Sequence, residues 1–277
     1  MLAALAALLC ALTAQTAVAG GVIGALVFEE DFDGPLNTSK WHVQDGPHGH
    51  GVNTAANAFT SNGSLVLRTV ARNHSVQGTQ YFVASSAVDT SQSLAQEYGA
   101  WEARLRMPDV ADTAGFRLHS SMWLVNMLPW IAANGSACGG GGHKSPEIDL
   151  VEYDHNEWTA VEKGPGPWAE GHLHVFFDNC TQRWAPAPDR YLLGGRDADF
   201  HSDFHVWRLE WLQDSLTMLV DGAVLLRVTD ADYLRGLAGP LYFLLTNTVM
   251  TSMPPSASDV LPQTMLVDYV RIWTAAV

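Results

Sequence analysis

Apolar and polar residues alternate along much of this chain, with the period of a β-strand that buries one face. Segments 101–107 and 205–211 both place their large apolar residues at every second position. Asp221-Gly222 lies between two apolar runs and predicts a tight hairpin turn. Only residues 230–237 suggest a short helix. Many short strands separated by Gly- and Pro-rich loops predict an all-β sandwich.

One predicted strand carries three carboxylates within six residues: Glu147, Asp149 and Glu152. Because strand side chains alternate between faces, Glu147 and Asp149 share a face, whereas Glu152 has the opposite parity. One extra residue near Leu150 or Val151, a β-bulge, would turn Glu152 back towards the other two acids. Paired carboxylates carry acid–base catalysis, so the segment is a candidate active site. The alternative is an exposed acidic strand without a catalytic role.

The composition limits the kinds of molecule that this protein can bind. The chain has 277 residues, of which 47% are hydrophobic and 16% are charged, so apolar residues suffice for a large core. Its formal net charge of −14 argues against nucleic acid, whose phosphates require a basic surface. The same charge argues more weakly against other highly anionic partners, such as sulfated polymers. We expect a monomer.

The beginning of the chain indicates export. Residues 1–19 are typical of a secretory signal peptide, with an apolar Leu/Ala run and small residues at Ala17 and Ala19 before the expected cleavage point. A retained membrane anchor is the alternative, but the apolar run is short and interrupted by polar residues. We therefore expect a protein that is secreted or held in the cell wall, without membrane contact after cleavage.

Other features of secreted proteins occur in the remaining sequence. Cys10 would leave with the signal peptide, so Cys138 and Cys180 remain as an even pair that can form a disulfide. Two free thiols are the alternative. Asn-x-Ser/Thr sequences favour a secreted glycoprotein. They begin at Asn37, Asn62, Asn73, Asn134 and Asn179.

The acidic segment resembles the bulged E-[ILV]-D-x-x-E signature of glycoside hydrolase family 16, as found in laminarinases. Residues 98–108, YGAWEARLRMP, are similar to the YGxxEARxKxP segment of the same family. Further similar segments follow the family order, so residues 27–275 are expected to form one catalytic domain. These segments are 31–41, 62–67, 220–222 and 261–271.

This resemblance implies a β-jelly roll of two curved antiparallel sheets, with a glycan-binding cleft on the concave face. It also implies that Glu147 is the nucleophile of a retaining double displacement, and that Glu152 acts first as general acid and then as general base. Asp149 is expected to orient Glu147 and to help keep Glu152 protonated. Because the two catalytic carboxyl groups must lie about 5–5.5 Å apart, bulging and sheet curvature must bring them together.

Further residues match substrate-binding positions of the family. Trp123 matches a tryptophan near the scissile bond, and His174 matches a histidine that contacts the middle carboxylate or the sugar. Trp158 has a loop-like context and is a candidate for a distal subsite. Asn57 and Asn247 match asparagines of the cleft, although both would also suit the capping of backbone groups.

The expected chemistry requires no cofactor. Relatives suggest a structural calcium ion, for which Asp268 with Asp31 or Glu30 would supply oxygen ligands; surface acids without a metal are the alternative. His172 and His174 share one strand face, but zinc needs further ligands and none is evident at suitable spacing. We therefore expect His172 on the surface or on the wall of the cleft.

The sequence thus predicts a secreted, retaining endo-β-glucan hydrolase that acts on β-1,3-glucan such as laminarin. A transglycosylase and a hydrolase of mixed-linkage glucan or galactan are alternatives on the same scaffold. A glucan-recognition protein that binds without cleaving is an alternative of a different class. Two loops at the border of the cleft, 138–146 and 248–253, depart from the family pattern and leave the preferred linkage open.

Overall fold

The computed structural model describes residues 22–48, 50–109, 118–126, 146–154, 168–176, 182–183, 190–194, 199–237, 239–249 and 260–276. The expected signal peptide, Trp158 and the cysteines Cys138 and Cys180 lie outside these residues. Within the described part, no helix is both long and apolar enough to span a bilayer.

The described residues form mainly antiparallel strands and very little helix. The first half comprises β1 (Ile23–Glu30), β2 (His42–Val43), β3 (Gly46–His48), β4 (Gly51–Asn53), β5 (Ala58–Ser61), β6 (Ser64–Val76), β7 (Thr79–Asp89), β8 (Ala95–Gln96), β9 (Gly99–Arg106) and β10 (Leu118–Val125). The second half comprises β11 (Glu147–Asp154), β12 (Trp168–Phe176), β13 (Gln182–Arg183), β14 (Arg190–Gly194), β15 (His205–Leu212), β16 (Ser215–Val220), β17 (Ala223–Val228), β18 (Leu241–Val249) and β19 (Gln263–Ala275). A 3-10 turn at Ala55–Asn57 and the helix α1 at Ala231–Arg235 complete the set.

Two layers of strands can be followed through the hydrogen-bond pattern. In the first, which we call the β19 layer, β19 pairs with β9 along one side and with β1 and β6 along the other, and β15, β16 and β17 continue outward from β9. In the second, the β11 layer, the order is β14, β12, β11, β10, β18, followed by β7 and then β2. The long strands β6 and β7 pair with each other and join both layers into one curled sheet.

The hydrophobic core lies between the two layers. Trp101 and Trp207 of the β19 layer and Leu150, Leu173 and Phe243 of the β11 layer belong to one apolar cluster, and none is more than 1% exposed. Removing each such side chain from water contributes about 1.5–3 kcal/mol. The alternation predicted for 101–107 and 205–211 is therefore confirmed in β9 and β15, whose buried positions alternate with partly exposed ones, whereas β18 is buried on both faces.

Local predictions about turns are also confirmed. Asp221 and Gly222 both have positive φ, 48° and 79°, as the two central residues of a tight hairpin between β16 and β17 require. The short helix predicted within 230–237 forms as α1, where the carboxylate of Asp230 accepts a hydrogen bond of 2.9 Å from the backbone N–H of Tyr233.

Candidate active site

The strand β11 contains the bulge predicted from its acidic sequence. On the β10 side, Asp149 lies opposite Trp123 and Val151 lies opposite the adjacent residue Met122, so the strand register shifts by one residue at Leu150. The β12 side shows the same irregularity between Asp149 and Glu152. Leu150 and Val151 are both fully buried in the core. The extra residue therefore restores Glu152 to the face that Asp149 occupies.

Contacts with β12 confirm that the acids share this face. His172 and His174 are two residues apart on β12, so their side chains project from the same side. His174 Nε2 lies 3.0 Å from Asp149 Oδ2, and His172 Nδ1 lies 3.1 Å from Glu152 Oε2. The two imidazole rings are almost perpendicular, with centroids 6.1 Å apart. The predicted contact of His174 with Asp149 is thus present.

Glu147 and Asp149 form a carboxyl–carboxylate pair in which Glu147 donates a hydrogen bond to Asp149. Burial raises the pKa of Glu147 to about 9, and the negative charge of Asp149 adds to the rise. Burial also raises the pKa of Asp149, which is 2% exposed, and the charge of Glu152 adds to that rise. At neutral pH this pair therefore holds a proton.

Glu152 is held in the opposite state by two histidines. Its Oε1 lies 3.2 Å from His119 Nε2, and its Oε2 is the atom that contacts His172. Burial raises the pKa of Glu152, but hydrogen bonds from His119 and His172 outweigh it, so the pKa falls below its ordinary value. The prediction that Asp149 keeps Glu152 protonated is therefore wrong for this arrangement, because the two imidazoles stabilise the carboxylate more than Asp149 repels it.

His172 is more central than its sequence context indicated. Its Nε2 lies 3.5 Å from Glu170 Oε2, so each ring nitrogen faces a carboxylate. Burial lowers the pKa of His172, but hydrogen bonds to Glu152 and Glu170 outweigh it and raise the pKa to about 10. The expectation of a surface or cleft-wall position is corrected: His172 is a protonated bridge between two acids.

Sequence reasoning missed His119 and Glu170. Glu170 has the same parity on β12 as His172 and His174, and this alternation was a usable signal. His119 had no such signal, because it reaches Glu152 only through the pairing of β10 with β11. His119 and Glu170 thus lie near the expected general acid, Glu152, because β10 and β12 both pair with β11.

Trp123 lies where the sequence placed it. It is the direct cross-strand neighbour of Asp149, and residues paired in this way project from the same face of a sheet. It packs with Val125, Tyr242 and Leu244 in a small apolar cluster separate from the main core. An indole beside the carboxylates offers an apolar surface for the C–H face of a sugar, so stacking by Trp123 stays a prediction compatible with its position.

The two predicted asparagine contacts are wrong. Asn57 is 3% exposed and donates a hydrogen bond of 3.1 Å to the carbonyl of Ala84. Asn247 is fully buried, donates a 2.8 Å hydrogen bond to the carbonyl of Leu67, and accepts one of 2.8 Å from Ser120 Oγ. Both amides satisfy internal polar groups between strands, which is the capping alternative, and neither reaches the surface where a sugar would bind.

The residues proposed for calcium are engaged by basic side chains. Asp268 pairs with Arg104 at 2.7 Å, Asp31 pairs with Arg271, and Glu30 lies 3.6 Å from Lys40. A calcium ion would have to open these ion pairs and gather oxygen ligands that now face different cations. The calcium site stays a prediction that these contacts do not favour.

Comparison with known proteins adds to this geometry. No protein-family model matches the chain. The glucan endo-1,3-beta-glucosidase A1 of Niallia circulans is 25% identical over 282 residues, which cover 90% of this chain and 37% of the relative. This chain thus corresponds to little more than a third of the Niallia protein.

Solved structures resemble almost the whole chain. The laminarinase catalytic domain of Thermotoga maritima superposes with a TM-score of 0.68 at 20% identity, covering 91% of this chain and 98% of that domain. The kappa-carrageenase of Pseudoalteromonas carrageenovora, solved with an oligotetrasaccharide of kappa-carrageenan, superposes with a TM-score of 0.70 at 20% identity, covering 96% and 100%. The chain has the laminarinase-like jelly-roll fold of glycoside hydrolase family 16, which confirms the fold class and the resemblance predicted from the sequence.

Proposed function

We propose that this protein is a retaining glycoside hydrolase that cleaves β-1,3-glucan at internal bonds. The observation that carries the proposal is the bulge at Leu150, which gathers Glu147, Asp149 and Glu152 on one face beside Trp123. An acidic strand without a catalytic role would have no need of a backbone irregularity that crowds like charges. The fold and the distant glucanase relative support the same conclusion.

The chemistry follows from two carboxyl groups with different tasks. Glu147 attacks the anomeric carbon and forms a glycosyl-enzyme ester, while Glu152 donates a proton to the departing glycosidic oxygen. In the second half, Glu152 takes a proton from water, and the hydroxide formed displaces Glu147 from the sugar. Configuration is retained because each half inverts the anomeric carbon once.

The protons must be redistributed before attack, since Glu147 has to be ionised and Glu152 protonated. Both proton transfers can take place between side chains that are already in contact. The proton of Glu147 passes along its hydrogen bond to Asp149, whose own pKa is raised by burial. A proton of His172 passes over 3.1 Å to Glu152. Each shift is a transfer between hydrogen-bonded neighbours, and neither needs a new residue.

The choice of substrate rests on charge. A net charge of −14 and a cluster of acids on the binding face disfavour a sulfated polymer, because each sulfate adds like-charge repulsion. The structural likeness to a carrageenase nevertheless makes a sulfated galactan the specific competitor. Neutral β-1,3-glucan is our proposal, and export of the protein to meet it agrees with the predicted signal peptide.

Purified protein incubated with laminarin, and separately with kappa-carrageenan, tests the proposal. We expect a ladder of short glucan oligosaccharides whose newly formed ends are β-anomers when first detected by NMR. α-Anomers would contradict retention, and cleavage of carrageenan alone would replace the substrate. Products longer than the substrate would identify a transglycosylase, and binding without cleavage would identify a recognition protein.

A further inference from the structure

A second grouping of donor atoms lies on the same face of the sheet. Asp149, His172 and His174 each offer one ligand atom, and these atoms all lie within 4.8 Å of one another. Strand pairing explains the grouping: Asp149 lies directly opposite His172 on β12, and His174 follows two residues along on the same face. The sequence did not reveal a third ligand for the two histidines, because that ligand belongs to the neighbouring strand.

The chemistry of this triad suits a divalent transition-metal ion. Two imidazoles and one carboxylate are the protein ligands of many open zinc sites, where a fourth position is left for water. Ligand atoms bound to tetrahedral zinc at about 2.0–2.1 Å lie about 3.3 Å from each other. The 3.0 Å between Asp149 Oδ2 and His174 Nε2 is close to that spacing.

The buried carboxylate supplies an independent reason to expect a cation. Asp149 is 2% exposed, and within the described residues its Oδ2 forms no hydrogen bond of acceptable geometry, although His174 Nε2 is near. A buried carboxylate oxygen without a hydrogen-bond donor is costly. A metal ion at this position would satisfy it.

The surroundings of His172 resemble the second shell of a metal site. Metal-binding histidines usually direct their other ring nitrogen towards a carboxylate, which fixes the ring and raises its basicity. His172 has Glu152 at one nitrogen and Glu170 at the other, at 3.1 and 3.5 Å. If Nδ1 binds the metal, His172 gives up its contact with Glu152, and its Nε2 keeps Glu170 as the supporting carboxylate.

We propose that Asp149, His172 and His174 bind one zinc ion or a similar divalent transition metal, and that the bound ion blocks the active site. The ion would draw Asp149 away from Glu147 and His172 away from Glu152. The inhibitory part rests on the proposed glycosidase function, whereas the binding part does not. Calcium and magnesium should not compete, because they prefer oxygen ligands to imidazoles.

Zinc binding to the full-length, untagged protein should be measured by competition with a chromogenic chelator, without any substrate. We expect one zinc ion per chain, displaced by cobalt(II) but not by excess calcium. His174→Gln should weaken binding by more than the change from Glu170→Gln, for which the loss of a supporting carboxylate predicts about tenfold. A matched control is His205→Gln, since His205 faces Asp221 at 2.6 Å on a distant hairpin and should leave binding unchanged.

Several results would overturn the proposal. Uptake that is unaffected by both His174→Gln and His172→Gln would locate the zinc elsewhere, and the absence of saturable uptake would remove the site. Glu147→Gln separates the two proposals: it should abolish turnover but keep zinc binding. If the parent protein binds zinc through the triad but its metal-free form cleaves no glycan, the metal site stands and the glycosidase proposal fails. If it cleaves laminarin with zinc bound, the inhibitory part is wrong.

Discussion

Two clusters of charged residues on opposite layers use carboxylates in different ways. On the β19 layer, Glu102 accepts a hydrogen bond of 3.0 Å from Arg208, whose Nε donates to Glu210 at 2.8 Å. Tyr269 donates a further 3.0 Å hydrogen bond to Glu102. On the β11 layer, the partners of the acids are imidazoles and other carboxyl groups.

The difference between the clusters lies in the mobility of their protons. A guanidinium stays charged at any working pH, so Glu102 and Arg208 hold fixed charges that orient neighbouring strands. Hydrogen bonds to Glu210 and Glu102 raise the pKa of Arg208 further, against the opposing effect of burial. Imidazole and carboxyl groups exchange protons. Burial raises the pKa of Glu147 to about 9, whereas burial lowers the pKa of His172 and hydrogen bonds to Glu152 and Glu170 raise it to about 10. Only the second cluster is suited to acid–base catalysis.

The largest effect that separates the two clusters should come from Glu147→Gln. The amide cannot form the glycosyl-enzyme ester, so kcat on laminarin should fall by about 10⁴-fold or more, as expected for loss of an essential nucleophile. Glycan binding, measured by calorimetry with a laminarin oligosaccharide, should persist. A variant with parental kcat would show that the acidic strand is not the active site.

A smaller loss is expected from His172→Gln, which removes the imidazolium beside Glu152. Glu152 would lose its hydrogen-bonded proton donor, so kcat should fall by about 10²-fold, with KM nearly unchanged. Steady-state kinetics with laminarin measure both constants. His205→Gln serves as the control because it removes a His–Asp pair of the other layer. Equal losses in the two variants would mean that His172 acts only through stability.

Trp123→Ala should affect substrate binding rather than chemistry. Loss of the stacking surface beside Asp149 is expected to raise KM about tenfold, equivalent to roughly 1.4 kcal/mol, within the range for aromatic contacts. Trp123→Phe should recover part of this affinity. Thermal unfolding of both variants controls for loss of the small cluster that Trp123 forms with Tyr242. An unchanged KM would assign Trp123 to packing alone.

The smallest effect is predicted for Glu102→Gln in the guanidinium cluster. Arg208 keeps its contact with Glu210, and partly exposed ion pairs contribute little, so the free energy of unfolding should drop by about 0–1 kcal/mol. Urea denaturation measures this change, and kcat/KM on laminarin should equal that of the parent protein. A loss of kcat comparable to that of Glu147→Gln would show that the guanidinium cluster also takes part in catalysis.

Several features of the two layers could be predicted from the order of residue types along single strands. Alternation placed Trp101 in the core, and the parity of Glu152 predicted a bulge at the position where the register of β11 shifts, at Leu150. The position of Trp123 near the acids was implied by the family resemblance instead. The inferences about Trp101 and Glu152 succeeded because a strand repeats every two residues, so a local pattern determines which side chains share a face.

The failures share a physical cause. Asn57 and Asn247 match positions of the family, but their side-chain amides donate hydrogen bonds to backbone carbonyl groups of other strands. The protonation of Glu152 was predicted from its neighbour Asp149 alone, whereas His119 and His172 decide it from adjacent strands. Contacts of this kind depend on the register between strands, which residue types within one segment do not specify.

By itself, the sequence therefore determined the all-β class, the faces of individual strands, the tight turn at Asp221-Gly222 and the segment that carries the acids. Tertiary structure alone decided which residues surround those acids, where the protons reside, and that Asp149, His172 and His174 converge. The reason is that side-chain direction is a local property of the backbone. Burial and charge pairing arise only when β10, β11 and β12 are aligned by hydrogen bonds between residues far apart in the chain.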